Sequence, residues 1–367
     1  MEDGVRIAQI APLIEPVPPK LYGGTERVVS YITEELVRQG HEVSLFASGD
    51  SQTSAKLIPC CERGLRLDPQ VRDPLAHNVL MLEKIRQRAN DFDVLHFHTD
   101  YMFFPLIRDH ALTSVTTLHG RLDLPDLMPL YREFNDIPLV SISDHQRMPL
   151  PPVNWAATVY HGLPLDLYPF CDDPSLDYVA FLGRVSPEKR PDRAISIAWR
   201  AGVKLKMACK IDRVDEDYFA NDIKPLLQKH TAQVEFFGEI ELEERRALLG
   251  NALALLFPID WPEPFGLVMI EAMSCGTPVI ASRCGSIPEI VEDGVTGFIV
   301  SDETEAVAAI KRVRNLDRRV IRERFEERFS VQRMVRDYVD IYRTAPRPKQ
   351  VGRAPLSEFR GAIADGS

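Results

Sequence analysis

The chain has 367 residues, 45% of them apolar, enough for two cores of ordinary size. With 54 acidic against 44 basic residues the net charge is −10, which excludes an extended basic surface for nucleic acid. An anionic ligand must then be held locally, by a few placed cations and backbone amides.

The elements follow in chain order. MEDGVRIAQIAPL starts acidic and turns into a strand at 5–11 instead of a signal peptide's apolar run. A Pro- and Gly-rich loop over 12–24 leads to a helix at 26–38 with apolar residues at 28, 29, 32 and 36; Gly40 closes it and EVSLFA starts a second strand. That is one βαβ unit. Strands are predicted at 93–98, 113–119, 138–143 and 156–161, then, past a Pro/Asp-rich stretch near 165–176, at 178–183, 204–211, 233–238, 253–258 and 277–282. Two successive α/β blocks of Rossmann-like length are expected, residues 1–168 and 169–329, with a ligand cleft at the carboxyl ends of their strands. A helix over 330–345 and a disordered tail over 346–367 complete the reading. No run approaches about 18 apolar residues. A cytoplasmic enzyme is expected, with peripheral contact at the inner membrane face left open.

The stretch EPFGLVMIE holds two glutamates, Glu263 and Glu271, eight positions apart. Were all of it helical, a rise of about 1.5 Å per residue would separate them by roughly 12 Å, too far for a glycosidase pair flanking one bond. Pro264 suits a helix's first turn and Gly276 its end, so Glu263 is expected just before the helix and Glu271 about two turns inside. Between them the amides of Phe265, Gly266 and Leu267 face the positive end of the helix dipole, where a phosphate is favoured, and Gly266 allows close approach. One acid at the tip and one along the helix suit the two hydroxyl-rich ends of a nucleotide diphosphate sugar. The bland alternative is a helix-start charge and a solvated side chain.

With these residues in view, the sequence resembles the family 4 retaining glycosyltransferases of GT-B architecture, in which two Rossmann-like domains face each other across a cleft. The E-x7-E motif matches Glu263 and Glu271, the G-R-x4-K pattern matches Gly183, Arg184 and Lys189, the glycine loop matches Gly23 and Gly24, and the strand-end histidine matches His119. The resemblance implies a nucleotide-sugar donor, UDP-sugar favoured, and a hydroxyl acceptor of unknown identity. It implies that Arg184 and Lys189 stabilise the leaving diphosphate, Glu263 contacts sugar hydroxyls, Glu271 the ribose, and His119 the sugar near the reacting carbon. Phe265, Gly266 and Leu267 would lend backbone contacts, and Gly23-Gly24 would close over the diphosphate. It further implies that the helix over 330–345 crosses back to the first domain and that no cofactor or metal is needed.

Other signals count for less. Six cysteines without a CxxC pair point to reduced thiols. The acidic triplet at 215–217 reads as a helix start, not a metal motif. His96 and His98 are expected on opposite faces of their strand, hence without a shared metal. Three rival functions are a dehydrogenase, weakened because YGGTER is not G-x-G-x-x-G; a nucleotide-sugar epimerase on the same scaffold; and a catalytically silent sugar-binding protein.

Overall fold

The computed structural model describes residues 4–20, 23–108 and 114–344. β1 (Arg6–Ile10) is buried at four of its five residues, as befits a strand covered on both faces, and it pairs in parallel with β2 (Glu42–Ser48) and β4 (Val94–Phe97). With β3 (Lys56–Cys61), β5 (Ser114–Thr117), β6 (Leu139–Ser141) and β7 (Trp155–Thr158) they form a seven-stranded parallel sheet in the order β3-β2-β1-β4-β5-β6-β7. The second sheet has six strands: β8 (Tyr178–Arg184), β9 (Lys204–Lys210), β10 (Val234–Phe236), β11 (Ala254–Phe257), β12 (Val279–Ser282) and β13 (Gly297–Val300), ordered β10-β9-β8-β11-β12-β13. Each sheet reverses its strand order once, beside β1 and β8 respectively. Such switch points open ligand crevices at the carboxyl strand ends.

β3 and β13 lie at sheet edges and are not among the predicted strands. Pro59 interrupts the β3 pattern, which only an edge strand tolerates, and β13 is four residues long. All six cysteines are free thiols. Among the described residues no helix is long and apolar enough to cross a membrane. The tail from 346 lies outside the described residues, as does residue 345 of the last predicted helix.

α1 (Gly24–Arg38) follows β1 and buries Val28, Val29, Ile32 and Leu36, the four positions of the predicted apolar face. The final helix runs Val331–Thr344. It buries Val331, Met334, Val335, Tyr338, Val339 and Tyr342, at helical spacing, against the first sheet and α1. The chain therefore returns from the second sheet to the first. At the crossing Leu163 N–H donates to Phe329 O and Val331 N–H to Leu163 O, both at 2.9 Å. Gly162 permits this approach: a Cβ there would sit 2.4 Å from Ser330 O. Gly162→Ala is expected to cost ~1–3 kcal/mol by overpacking and to lower the thermal midpoint by roughly 3–10 °C. Gly120→Ala, where a Cβ meets nothing within 4 Å, serves as the control in the same melting experiment.

Candidate active site

The donor half of the site grows from the ends of β8 and β11. β8 closes on Gly183 and Arg184, and the following loop brings Lys189 across to the segment after β11. There the helix over Leu267–Ser274 starts three residues after Pro264, so Glu271 lies one turn inside it, not two. The reason is Gly266, whose φ of 83° breaks the turn that Pro264 would have opened. The helix stops at Gly276, φ 77°, where Thr277 N–H donates to Ala272 O at 2.9 Å.

Both acids face inward. Glu263 and Glu271 side chains are only 13% and 6% exposed, so neither is a solvated surface charge. The Glu263 carboxylate forms an ion pair with Lys189 Nζ and accepts from Trp261 Nε1 at 3.0 Å. Lys189 Nζ also stands 4.9 Å from the Trp261 ring centroid and 5.7 Å from that of Phe257, which fixes it over two aromatic faces. Arg184 is surrounded by acid: Glu188 pairs with it, Asp212 lies at 3.7 Å and Asp215 at 3.3 Å. Asp215 stands at the start of the short helix Glu216–Tyr218, whose first turn holds Glu216 and Asp217, as the acidic triplet predicts. It is buried beside Arg184, and burial raises its carboxyl pKa while the guanidinium lowers it.

At the far end Glu271 faces Arg245, at 3.9 Å, and Arg245 reaches the Tyr168 hydroxyl at 3.4 Å. Tyr31 joins them from α1, its hydroxyl pushed up to about 12 by burial. Sequence reasoning missed Arg245 and Tyr31: Arg245 meets Glu271 through the packing of two helices on the second sheet, and Tyr31 reaches it from the first sheet's α1.

The opposite wall belongs to the first sheet. His119 follows β5; its Nε2 lies 2.9 Å from His98 Nδ1, and its ring stacks on His161 at 5.3 Å and 16°. His161 in turn meets the Phe265 ring edge-on at 4.8 Å. Burial drives the His119 pKa down to about 3, so the ring is neutral at working pH. The expectation for His96 and His98 is corrected here. Residues two apart on a strand share a face, and the two rings lie 4.0 Å apart. Among the described residues no group of three His, Cys, Asp or Glu side chains is placed to hold a metal.

Two adjoining cavities collect the predicted residues. One of about 210 Å³ is lined by Gly23, Gly24, Gly183, Arg184, Lys189, Glu263, Gly266, Leu267 and Glu271, together with Arg27 and Arg245. The other, about 380 Å³, is lined by His119, His161 and Phe265 and shares Gly23, Gly24, Glu263, Gly266 and Leu267 with the first. Gly23 has a φ of 145° and would place a Cβ 2.8 Å from Pro19, so the loop over both cavities depends on it.

Residues 22–157 match the family described as Glycosyltransferase Family 4, and residues 173–328 match Glycosyl transferases group 1. The chain belongs to glycosyltransferase family 4. Across 90% of this family 4 glycosyltransferase and 96% of the relative, it is 26% identical to an N-acetyl-alpha-D-glucosaminyl L-malate synthase of Bacillus anthracis. Several other curated relatives match over less, the chain spanning about a third of their length (34% and 31% in two of them). Among solved structures it is similar to AviGT4, a glycosyltransferase involved in avilamycin A biosynthesis, with TM-score 0.70 and 22% identity over 92% of this chain and 97% of that one. It is also similar to Anabaena HepE in complex with UDP and glucose, with TM-score 0.63 and 19% identity over 92% and 98%. These likenesses establish the GT-B fold for this glycosyltransferase.

Proposed function

We propose that the enzyme moves a hexosyl group from a nucleoside diphosphate sugar, UDP-hexose favoured, to a hydroxyl acceptor with retention and without a metal. One observation carries the reading: Arg184 and Lys189 share a cavity with Glu263 and Glu271. Breaking the C1–O bond leaves negative charge on the β-phosphate, and two fixed cations there favour the transition state over the ground state. The acceptor oxygen forms its bond to C1 on the same face and its proton passes to the leaving phosphate. Residues 169–329 would hold the donor, Glu271 taking the ribose hydroxyls and Glu263 the sugar. Residues 1–168 and the returning helix would hold the acceptor side. No cofactor enters this scheme. UDP is favoured because a structural neighbour was solved with UDP and glucose.

Incubation with labelled nucleotide sugars and a panel of hydroxyl acceptors tests this. A glycoside of unchanged anomeric configuration, formed equally with chelator present, is expected; an altered free sugar would instead indicate epimerisation. Binding without turnover would leave a sugar-binding protein. Glu271→Gln preserves shape and removes the charged acceptor, so the Kd for UDP should rise about 10–100-fold. An unchanged Kd by calorimetry would remove Glu271 from the ribose site.

A further inference from the structure

The two sides of the cleft are joined by a polar contact that the reaction above does not use. A short helix, Asp144–Arg147, follows β6 on the first sheet's side, and its opening amides have no carbonyl of their own helix to bond. Ser143 Oγ accepts from Gln146 N–H at 3.1 Å. The N–H groups of Asp144 and His145 donate across the cleft to Glu289, at Oε2 and Oε1 respectively, each at 2.7 Å. Glu289 belongs to the helix Ile287–Ile290, which follows β12 in the second sheet. The Tyr160 hydroxyl, from the first sheet's side, also donates to Glu289 Oε2, at 3.1 Å. A carboxylate suits this place because it accepts at both oxygens and donates at neither.

Each end of the contact is tied to a loop of the candidate active site. Gln146, buried on the same short helix, donates from Nε2 to Leu118 O at 2.9 Å and to Gly120 O at 2.8 Å, the carbonyls on either side of His119. Its Oε1 accepts from Ile142 N–H at 2.9 Å. All three partners are backbone groups of fixed polarity, so the Gln146 amide has one orientation and the His119 loop is bound to the helix. On the other side Ser286, three residues before Glu289, donates its N–H to Glu263 O and its hydroxyl to Phe265 O, both at 3.0 Å. Gly285, with a φ of 55°, permits this approach: a Cβ there would sit 2.5 Å from Glu263 N.

We propose that Glu289 is a positioning residue that sets the two walls of the cleft in register, holding His119 at a fixed offset from Glu263 by way of Gln146 and Ser286. This rests on the places proposed for His119 and Glu263 beside the reacting sugar. Glu289 lines neither cavity. It therefore acts on alignment, where a misplacement of about 1 Å costs on the order of 10²-fold in rate.

In Glu289→Ala kcat should fall about 10–100-fold, as for misaligned reactants. The Kd for UDP, read by calorimetry, should stay at the wild-type value, because Arg184, Lys189 and Glu271 keep their places on the second sheet's side. Glu289→Gln preserves the shape and leaves one carbonyl oxygen for two amides, so its kcat should lie between. Gln146→Leu frees the His119 loop from the same helix, and Glu289→Ala/Gln146→Leu should be no slower than the slower single variant. Carbon-13 spectra of histidine-labelled enzyme, with His119→Asn identifying the signal, should show the His119 ring shifted in both Glu289 variants. A normal kcat per folded enzyme with only a lowered melting midpoint, a Kd for UDP that rises as far as kcat falls, fully multiplicative losses in the double variant, or an unmoved His119 signal overturns the proposal. The spectrum needs no turnover, so an enzyme that transfers none of the sugars tested would remove the proposed reaction while leaving the register to be judged from His119.

Discussion

Lys189→Ala is expected to lower kcat by ~10²–10³-fold with little change in KM, the loss that follows removal of one preorganised group facing developing charge. The ammonium is held between the Glu263 carboxylate and the faces of Trp261 and Phe257, with its side chain 21% exposed. It is therefore positioned before reaction and costs little reorganisation when the diphosphate departs. Its removal acts twice, because the Glu263 carboxylate then loses its counter-charge and opposes a second negative charge in the same cavity. A Lys189→Ala/Glu263→Gln double variant separates the two contributions and should recover part of the rate. Steady-state turnover at saturating donor is the measurement; near-normal kcat in Lys189→Ala would take the residue out of the mechanism.

Much of this arrangement can be read from the chain because its signals are local. The apolar spacing of Val28, Val29, Ile32 and Leu36 prescribes the buried face of α1 whatever packs on it. Arg184 ends β8 and Lys189 sits on the loop that follows, where the parallel fold itself delivers them to the crevice. What stays hidden depends on partners distant in sequence. Arg245 gains meaning only when its helix is set against Glu271, and Asp215 only when β9 carries its loop to Arg184. The buried hydrogen bond from Gln9 Nε2 to the Tyr342 hydroxyl joins residues 333 positions apart, and no pattern within a window registers that. Gly266 marks a different limit: Pro264 reads as a helix start, yet a left-handed residue two places later delays the helix to Leu267. For His96 and His98 the period of a strand already places both rings on one face, and the structure shows it.

The same buried rings make the fold acid-sensitive. His96, His98 and His161 are held neutral chiefly by burial, their pKa values well below the ordinary 6.5. The unfolded chain takes protons there through pH 6.5 while the folded chain does not, so the stability is present above that pH and is lost on acidification. At pH 5 each such ring forgoes binding worth about 2 kcal/mol, and three together about 6 kcal/mol, against a total of roughly 5–15 kcal/mol for a typical domain. Three carboxyls among the described residues work in the opposite sense. Burial raises Glu26 and Asp215, and local loss of water around the carboxyl raises Asp100 to about 6, so the folded chain binds these protons first and gains as pH falls. The Asp100 residue as a whole stays in contact with solvent, which screens its share, backbone amides draw Glu26 back down, and the Arg184 guanidinium does the same for Asp215. The histidines therefore win. Urea midpoints should drop steeply between pH 7 and pH 5, and a midpoint that stays level over that interval would mean that the rings take up protons inside the fold.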